Sequence, residues 1–100
     1  MDLRWTWDPE KAATNLRKHK VSFELAARAL DDVSALTQPD PYPAEERWQT
    51  LGKPSAGSYV VLFVVHTASP DPDEEGNEAV GRIITARKAE PRERKAYEEG

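Results

Sequence analysis

The chain has 100 residues, of which 38% are hydrophobic, and carries a formal net charge of −4. This length favours one domain with a modest core, so we expect a single domain over residues 1–100. There is no cysteine, which excludes a disulfide framework, a thiolate metal site and a cysteine nucleophile. The longest apolar run, residues 59–65, is too short to span a bilayer, and the first five residues lack the apolar segment of a signal peptide, so we expect a soluble cytoplasmic protein.

The charges are distributed unevenly along the chain. Residues 69–79 contain five acids and no base, whereas residues 82–95 contain six bases and two acids. The first thirty residues contain six bases and four acids, so both ends are cationic. Cationic ends suit a phosphate backbone, but charge alone favours the simpler interpretation of an ordinary solvated surface.

The N-terminal part predicts a short strand followed by a helix. Apolar and polar residues alternate over residues 3–7, as in a half-buried strand. Asp8 and Pro9 then suit the cap and first position of a helix that runs to about His19. At about 100° per residue, the face opposite the small apolar side carries Lys11, Asn15 and Lys18, with His19 at its edge.

The middle of the chain predicts a second helix and then β structure. Ser22 is the expected cap of this helix, and apolar residues at i, i+3, i+4 and i+7 from Phe23 form its core stripe. Strands are expected over residues 33–38, 45–51 and 58–67. The last of these is apolar on both alternating faces, so both faces should be covered.

The C-terminal part predicts a strand over residues 82–89 and a helix that begins with Glu90 as cap and Pro91 as first residue. The expected fold class is α+β, with the N-terminal helices and the C-terminal helix packed on a four-stranded, mainly antiparallel sheet. Arg82 and Arg87 are five residues apart. A regular strand would therefore place them on opposite faces, unless the strand is bulged.

Few residue patterns in the chain point to chemistry. The two histidines are 47 residues apart without ligand-spaced partners, and there is no glycine-rich phosphate loop or nucleophilic serine motif. Metal-free chemistry with Lys, Arg, His, Glu and Tyr remains. A lone histidine is usually structural, and we expect this of His66. His19 lies among basic residues, which also suits general acid–base work near neutral pH.

Two further residue groups have alternative interpretations. Alternation along a strand would place Glu46 on the face opposite Arg47, and such a neighbouring pair is usually just exposed. On the last helix, Glu93, Arg94 and Tyr97 either dock the helix or line a groove. For Tyr97 we expect docking.

Four patches, in order along the chain, resemble the BrnT family of type II toxins, which are ribonucleases with a RelE-like fold. Each patch is weak alone, but their order and spacing are specific. The patches are Trp7-Asp8-x-x-Lys11-x-x-x-Asn15-x-x-Lys18-His19-x-Val21-Ser22-Phe23, then Glu46-Arg47 with Gly52, then Val64-Val65-His66-Thr67, and finally Arg82-Ile83-Ile84-Thr85-Ala86-Arg87-Lys88-Ala89 followed by Glu93-Arg94 and Tyr97.

The resemblance implies a metal-independent endoribonuclease that uses the RNA 2′-hydroxyl to attack the adjacent phosphate and so inhibits translation. It also implies a hetero-oligomer with a BrnA-like antitoxin, through which operator DNA is contacted and the operon repressed. No cofactor, metal or membrane is implied. The catalytic positions would be Lys18, His19, Glu46, Arg82 and Arg87. The expected RNA-binding residues are Lys11, Lys88, Arg94 and Tyr97.

The chain departs from the family's pattern after Thr67. The family usually continues with Thr-Glu-Arg and a short turn, whereas here Ala68 and Ser69 lead into the acidic segment, and an expected arginine is absent. An alternative function is therefore a catalytically weakened protein that binds an antitoxin in operon autoregulation. A third is a small α+β protein whose cationic ends bind nucleic acid without cleaving it.

Overall fold

The computed structural model describes residues 4–67 and 80–100, so the acidic segment that follows Thr67 lies outside the described residues. Three helices and five strands occur within these ranges. In chain order they are β1 (Arg4–Thr6), α1 (Pro9–His19), α2 (Phe23–Ala29), β2 (Leu36–Pro39), β3 (Trp48–Gly52), β4 (Leu62–His66), β5 (Val80–Lys88) and α3 (Pro91–Glu99).

The helix boundaries follow local capping chemistry. The Asp8 carboxylate accepts the Glu10 amide at 2.8 Å at the start of α1, and the Ser22 hydroxyl accepts the Leu25 amide at 3.1 Å at the start of α2. At α3, the Glu93 carboxylate accepts the amide of the capping residue Glu90 at 2.8 Å. The predicted starts of all three helices are confirmed.

The sheet has five strands in the order β1-β5-β4-β3-β2. The prediction of four strands is wrong because β1 also joins the sheet, pairing in parallel with Val80–Arg82 at the start of β5. The other pairings are antiparallel. The N-terminal strand was predicted from alternation, but nothing local to it indicates that its partner lies more than 70 residues away.

Strand β2 begins at Leu36 instead of residue 33, because Asp32 accepts the Ser34 and Ala35 amides in a turn. Strand β3 begins later than predicted because the connection from β2 is closed by its own hydrogen bonds. The Asp40 amide donates to the Arg47 carbonyl at 2.8 Å, and the Asp40 carboxylate accepts the Tyr42 amide at 3.1 Å. Residues 40–47 therefore form a loop, and β3 begins at Trp48 instead of residue 45. We call residues 40–47 the β2–β3 loop.

The core lies between the sheet and the two N-terminal helices. Helix α1 packs on β5, and α2 packs on β5 and β4. Gly52 allows close approach of α2, since a Cβ there would lie 2.2 Å from the Ala29 carbonyl oxygen. Helix α3 packs on β3 from the other face of the sheet. The buried core residues are Val21, Phe23, Ala26, Ala29, Leu30, Leu62, Val64, Ile83 and Ala86.

A β-bulge in β5 changes which residues share a face. Val65 pairs with Thr85 and the next residue, His66, pairs with Ile83, so Ile84 is the extra residue. Ile83 and Ala86 are consequently both fully buried in the core, although they are three positions apart. Arg82 and Arg87 flank this pair, and both lie on the sheet face that is turned away from α1 and α2.

Candidate functional site

A cleft of about 560 Å³ separates α1 from the bulged part of β5. One wall is the polar face of α1, the floor is the strand at the bulge, and the end of the β2–β3 loop closes one side. Six ionisable side chains line it, namely two carboxylates, three cationic groups and one histidine. The lining residues are Asp8, Glu10, Lys11, Thr14, Asn15, Lys18, His19, Arg47, Ile84 and Thr85. We call this space the α1–β5 cleft.

Asn15 fixes helix α1, which forms one wall of the cleft, to strand β5. Its side-chain nitrogen donates to the Ala86 carbonyl at 2.8 Å and to the Val21 carbonyl at 2.9 Å, and its oxygen accepts the Ala86 amide at 3.1 Å. The residue is 6% exposed. The sequence correctly predicts that Lys11, Asn15 and Lys18 share a face, but not that Asn15 is buried while the lysines are exposed.

The cations of the cleft differ in whether a carboxylate binds them, and Arg47 donates to a carboxylate, that of Glu45. Among residues 4–67 and 80–100, no carboxylate forms an ion pair with the Lys11 or Lys18 side chain. His19 is half-buried at the end of α1 beside Lys18. Both lysines are therefore available to an anion that enters the cleft.

A second group, the Glu45 cluster, adjoins the cleft and consists of Glu45, Arg47 and Arg82. Arg47 Nε donates to Glu45 Oε2 at 2.8 Å, and Arg82 Nη2 donates to both Glu45 oxygens at 3.1 and 3.0 Å. The guanidinium of Arg47 also stacks on the Tyr42 ring, 3.7 Å from its centroid. Hydrogen bonds from Arg47 and then Arg82 hold the pKa of Glu45 below its ordinary value.

Arg87 lies on the same face of the sheet but belongs to a different group. It donates Nη1 to Glu93 Oε1 at 2.8 Å and Nη2 to Glu93 Oε2 at 3.0 Å, and its guanidinium lies 4.2 Å from the centroid of Phe63. The paired bonds lower the pKa of Glu93 and raise that of Arg87. The bulge thus puts both arginines on one face without bringing their guanidinium groups to one anion.

The C-terminal helix uses two predicted RNA-binding residues to dock. The Tyr97 hydroxyl donates to the Asp32 carboxylate, and Arg94 donates to the Tyr59 carbonyl and, at 3.2 Å, to Glu98. Partial burial and then the bond to Asp32 raise the pKa of Tyr97 to about 12. These contacts agree with the docking role expected of Tyr97.

His66 is fully buried in the core, as a structural histidine at the end of a strand would be. Its Nε2 atom is 2.7 Å from the Thr50 hydroxyl, which is 2.8 Å from the Thr37 hydroxyl. The Trp5 ring meets the imidazole edge to face, with centroids 5.0 Å apart. These hydrogen bonds join β4, β3 and β2, run from the buried His66 to the exposed Thr37, and do not reach the α1–β5 cleft.

The structure brings only some of the predicted site residues together at the cleft. Lys11, Lys18 and His19 line the cleft, and Arg82 lies beside it in the Glu45 cluster. The predicted residues that lie elsewhere are Arg87 and Lys88 at the end of β5, and Arg94 and Tyr97 on α3. Glu46 is exposed in the β2–β3 loop and is absent from the described lining of the cleft.

Sequence reasoning missed the roles of Glu45 and Arg47. The acidic pair Glu45-Glu46 before Arg47 is visible in the sequence, but which carboxylate meets an arginine depends on the shape of the β2–β3 loop. Extending β3 to residue 45 assigned alternating faces to residues that do not belong to a strand.

The described residues lack two features that would indicate other classes of site. No group of three or more His, Cys, Asp or Glu side chains within them is placed to hold a metal ion. In the same part of the chain, no helix has both the length and the apolar character needed to cross a membrane.

Comparison with known proteins identifies the family. The family model described as the ribonuclease toxin BrnT of a type II toxin–antitoxin system matches residues 7–93. In three dimensions the chain is similar to the 1.1 Å-resolution crystal structure of the Brucella abortus ribonuclease toxin BrnT, with a TM-score of 0.58 and 21% sequence identity over 88% of this chain and 97% of that chain. No curated protein sequence matches. The structural likeness shows a shared fold, and the match over residues 7–93 shows that the chain belongs to the BrnT family of ribonuclease toxins of type II toxin–antitoxin systems.

Proposed function

We propose that this chain is a metal-independent endoribonuclease toxin whose active site is the α1–β5 cleft together with Arg82. The observation that supports this most strongly is the convergence of Lys11, Lys18, His19 and Arg47 on one open cleft. The three cations of the lining outnumber the carboxylates of Asp8 and Glu10 by one, so the cleft is weakly cationic in a chain of net negative charge and attracts polyanions. Our proposal includes the RelE-like relationship of the fold and a single toxin domain over residues 1–100.

In the proposed reaction, a base removes the proton from the RNA 2′-hydroxyl, and the resulting oxyanion attacks the adjacent phosphorus. The bond from phosphorus to the 5′-oxygen breaks, and an acid protonates that leaving oxygen. His19 is the proton-transfer group that lines the cleft, and Glu46 is a second candidate in the adjoining loop. Cations around the phosphate stabilise the charge that develops on its oxygens.

The proposed phosphate contacts are Lys18, Arg82 and Arg87. Arginine suits this role because its planar fork donates to two phosphate oxygens together. Arg82 is better placed than Arg87, since its side chain is 48% exposed beside the cleft, whereas Arg87 already donates twice to Glu93. A phosphate contact from Arg87 would require exchange of those two bonds.

The proposed RNA-binding surface starts from Lys11 in the cleft and extends to Lys88, Arg94 and Tyr97. Lys88 is exposed at the end of β5. Support for Arg94 and Tyr97 is weaker, because their polar groups already bond to the body of the protein. These residues would act through the exposed parts of their side chains.

The proposed partner is a BrnA-like antitoxin that forms a hetero-oligomer with this chain in the cytoplasm and connects it to operator DNA. Family membership supports an antitoxin partner, because type II toxins are paired with antitoxins. Released from the antitoxin, the toxin would inhibit translation by cutting RNA.

Incubation of the purified chain with RNA in EDTA tests the proposed function. We expect cleavage of RNA but not of DNA, since DNA lacks the 2′-hydroxyl. His19→Gln should lower the cleavage rate about 100-fold, in the range typical of a lost proton-transfer group. The control Arg28→Gln, which removes an exposed cation from α2, should cut like the unmodified chain. Full protection of RNA at high enzyme, where a BrnT relative cuts, would contradict the proposal.

A second candidate function is a catalytically weakened toxin that acts through antitoxin binding in operon autoregulation. It is favoured by one observation, that both arginines of β5 carry carboxylate partners. The family's arginine after Thr67 also has no counterpart here, because residues 68–79, which lie outside the described residues, contain no arginine. Growth arrest on expression of the chain alone, abolished by Arg82→Ala, would count against this second function.

A further inference from the structure

Glu45 occupies a position that suits a phosphate. Its carboxylate accepts Arg47 Nε at 2.8 Å and Arg82 Nη2 at both oxygens, so two guanidinium groups from different parts of the chain share one anion. Two arginines around one anion form the arrangement that binds a phosphodiester, whose oxygens accept the same planar forks. Here a side chain of the protein itself is that anion.

The two arginines are anchored independently of Glu45. Arg47 is 19% exposed, and its guanidinium stacks on Tyr42. The backbone of Arg82 is held by β1 through pairing with Thr6, and by Thr67, whose amide donates to the Arg82 carbonyl at 3.0 Å. Removal of the carboxylate would therefore leave two nearby cations with their backbones in place.

Glu45 itself is free to leave without a change of fold. It is 35% exposed and lies inside the β2–β3 loop, whose ends are joined by the bond from the Asp40 amide to the Arg47 carbonyl. A rotation of its side chain is enough to carry the carboxylate into solvent. An exposed ion pair of this kind is weak, and an entering anion can replace it.

The site also adjoins the cleft. Arg47 both belongs to the Glu45 cluster and lines the α1–β5 cleft with Lys11 and Lys18. A phosphate held by Arg47 and Arg82 would thus lie next to a phosphate or sugar in the cleft, as successive groups of one RNA strand do.

We propose that Arg47 and Arg82 form a binding site for a phosphodiester, and that Glu45 occupies this site in the free protein as an internal competitor that RNA must displace. The inference rests on the proposed function for the identity of the anion. It assigns Glu45 an autoinhibitory role and gives Arg47 a direct contact with substrate.

The test measures binding of a fluorescein-labelled 2′-O-methyl RNA hexamer, which lacks a free 2′-hydroxyl and is not cut. Glu45→Gln should bind this probe about fivefold more tightly. In the unmodified protein only a minor fraction of molecules has the Arg47–Arg82 site free of the Glu45 carboxylate, and the substitution removes that carboxylate. The control Glu24→Gln removes one negative charge from an exposed position on α2 and should change affinity much less. In the Glu45→Gln/Arg82→Ala double variant the gain should disappear.

A second measurement uses the unmodified protein and does not depend on how any variant folds. Addition of the hexamer should shift the Nε–H nuclear magnetic resonance signal of Arg47 and leave that of the exposed Arg28 on α2 in place. Equal affinities of Glu45→Gln and Glu24→Gln, or an Arg47 signal that does not move, would overturn the inference.

Cleavage of ordinary RNA by the same proteins separates this inference from the proposed function. Tighter binding by Glu45→Gln with no cleavage by any protein supports the anion site and contradicts the ribonuclease. Cleavage by the unmodified chain without tighter binding by Glu45→Gln supports the ribonuclease and overturns the internal competitor.

Discussion

Arg82 and Arg87 lie on one strand and one face, each with a carboxylate partner, yet their surroundings differ. The Arg82–Glu45 pair joins a strand to a loop, and the two side chains are 48% and 35% exposed. The Arg87–Glu93 pair joins the strand to the first turn of α3, with 31% and 19% exposure and Phe63 beneath the guanidinium. Glu93 also caps its own helix by accepting the Glu90 amide, so two independent sets of hydrogen bonds hold its carboxylate.

This difference indicates that an ion pair does not by itself show whether its arginine can bind a ligand. The answer also depends on how firmly the carboxylate is held by the rest of the protein. Glu93 is fixed by the helix that contains it, and losing its position would undo the start of α3. Glu45 is fixed by little more than the arginines it bonds. The Arg87–Glu93 pair therefore stabilises the fold, whereas the Arg82–Glu45 pair can exchange with a ligand.

The largest expected effect is on cleavage, and it concerns Arg82. Arg82→Ala should lower the rate of RNA cleavage about 100-fold, as loss of one donor to a transition-state oxyanion does, and change stability by less than about 0.5 kcal/mol. Single-turnover cleavage and thermal unfolding of the same sample measure both. Cleavage that stays within a factor of about three of the unmodified rate would remove Arg82 from the site.

The next effect is on stability, and it concerns Arg87. Arg87→Ala should lower the free energy of unfolding by about 1.5 kcal/mol, because Glu93 is left partly buried without its two charge-assisted bonds. Urea unfolding gives this value, with Arg82→Ala as the matched control. If the two variants lose the same stability, the contrast between the two pairs is wrong.

The smallest effect concerns the docking of α3 on the body of the protein and depends on pH. Tyr97 has an ordinary pKa of 10.0, raised to about 12 in the folded protein, so its neutral form is favoured by folding. Its contribution to stability is therefore complete below pH 10.0 and is lost as the pH rises to about 12. Thermal unfolding across this range should show a loss that Tyr97→Phe lacks. At neutral pH that variant should already be about 1 kcal/mol less stable, because it lacks the bond to Asp32.

An absorbance titration of tyrosinate formation provides the independent check on Tyr97. One group should ionise near pH 12 in the unmodified chain and should be missing in Tyr97→Phe. Identical titration curves for the two proteins would mean that Asp32 and partial burial do not hold the Tyr97 proton.

Local chemistry allowed much of the fold to be predicted from the sequence. Asp8-Pro9, Ser22 and Glu90-Pro91 act within one turn of their own position, and all three helices begin where those residues predict. The shared face of α1 follows from helical periodicity for the same reason. What failed depends on distant parts of the chain, such as the parallel pairing of β1 with β5.

The candidate site was predictable only in part, for a related reason. Lys11, Lys18 and His19 are brought together by one helix, and helical periodicity indicates this. The identity of the acid that meets Arg82 depends on the β2–β3 loop, and the shared face of Arg82 and Arg87 depends on one extra residue, Ile84. Neither a loop closure nor a bulge leaves a composition signal in this chain.

The side chain of Asn15 has a consequence for how other chains can approach the sheet. Strand β1 covers only the start of β5, and beyond it the amide of Asn15 both donates to and accepts from Ala86, as a peptide group of a neighbouring strand would. A strand from an antitoxin or a second copy of the toxin is thus denied this edge. Strand addition is left to the outer strands β1 and β2, and at β2 the ladder reaches Pro39, which has no amide hydrogen to offer.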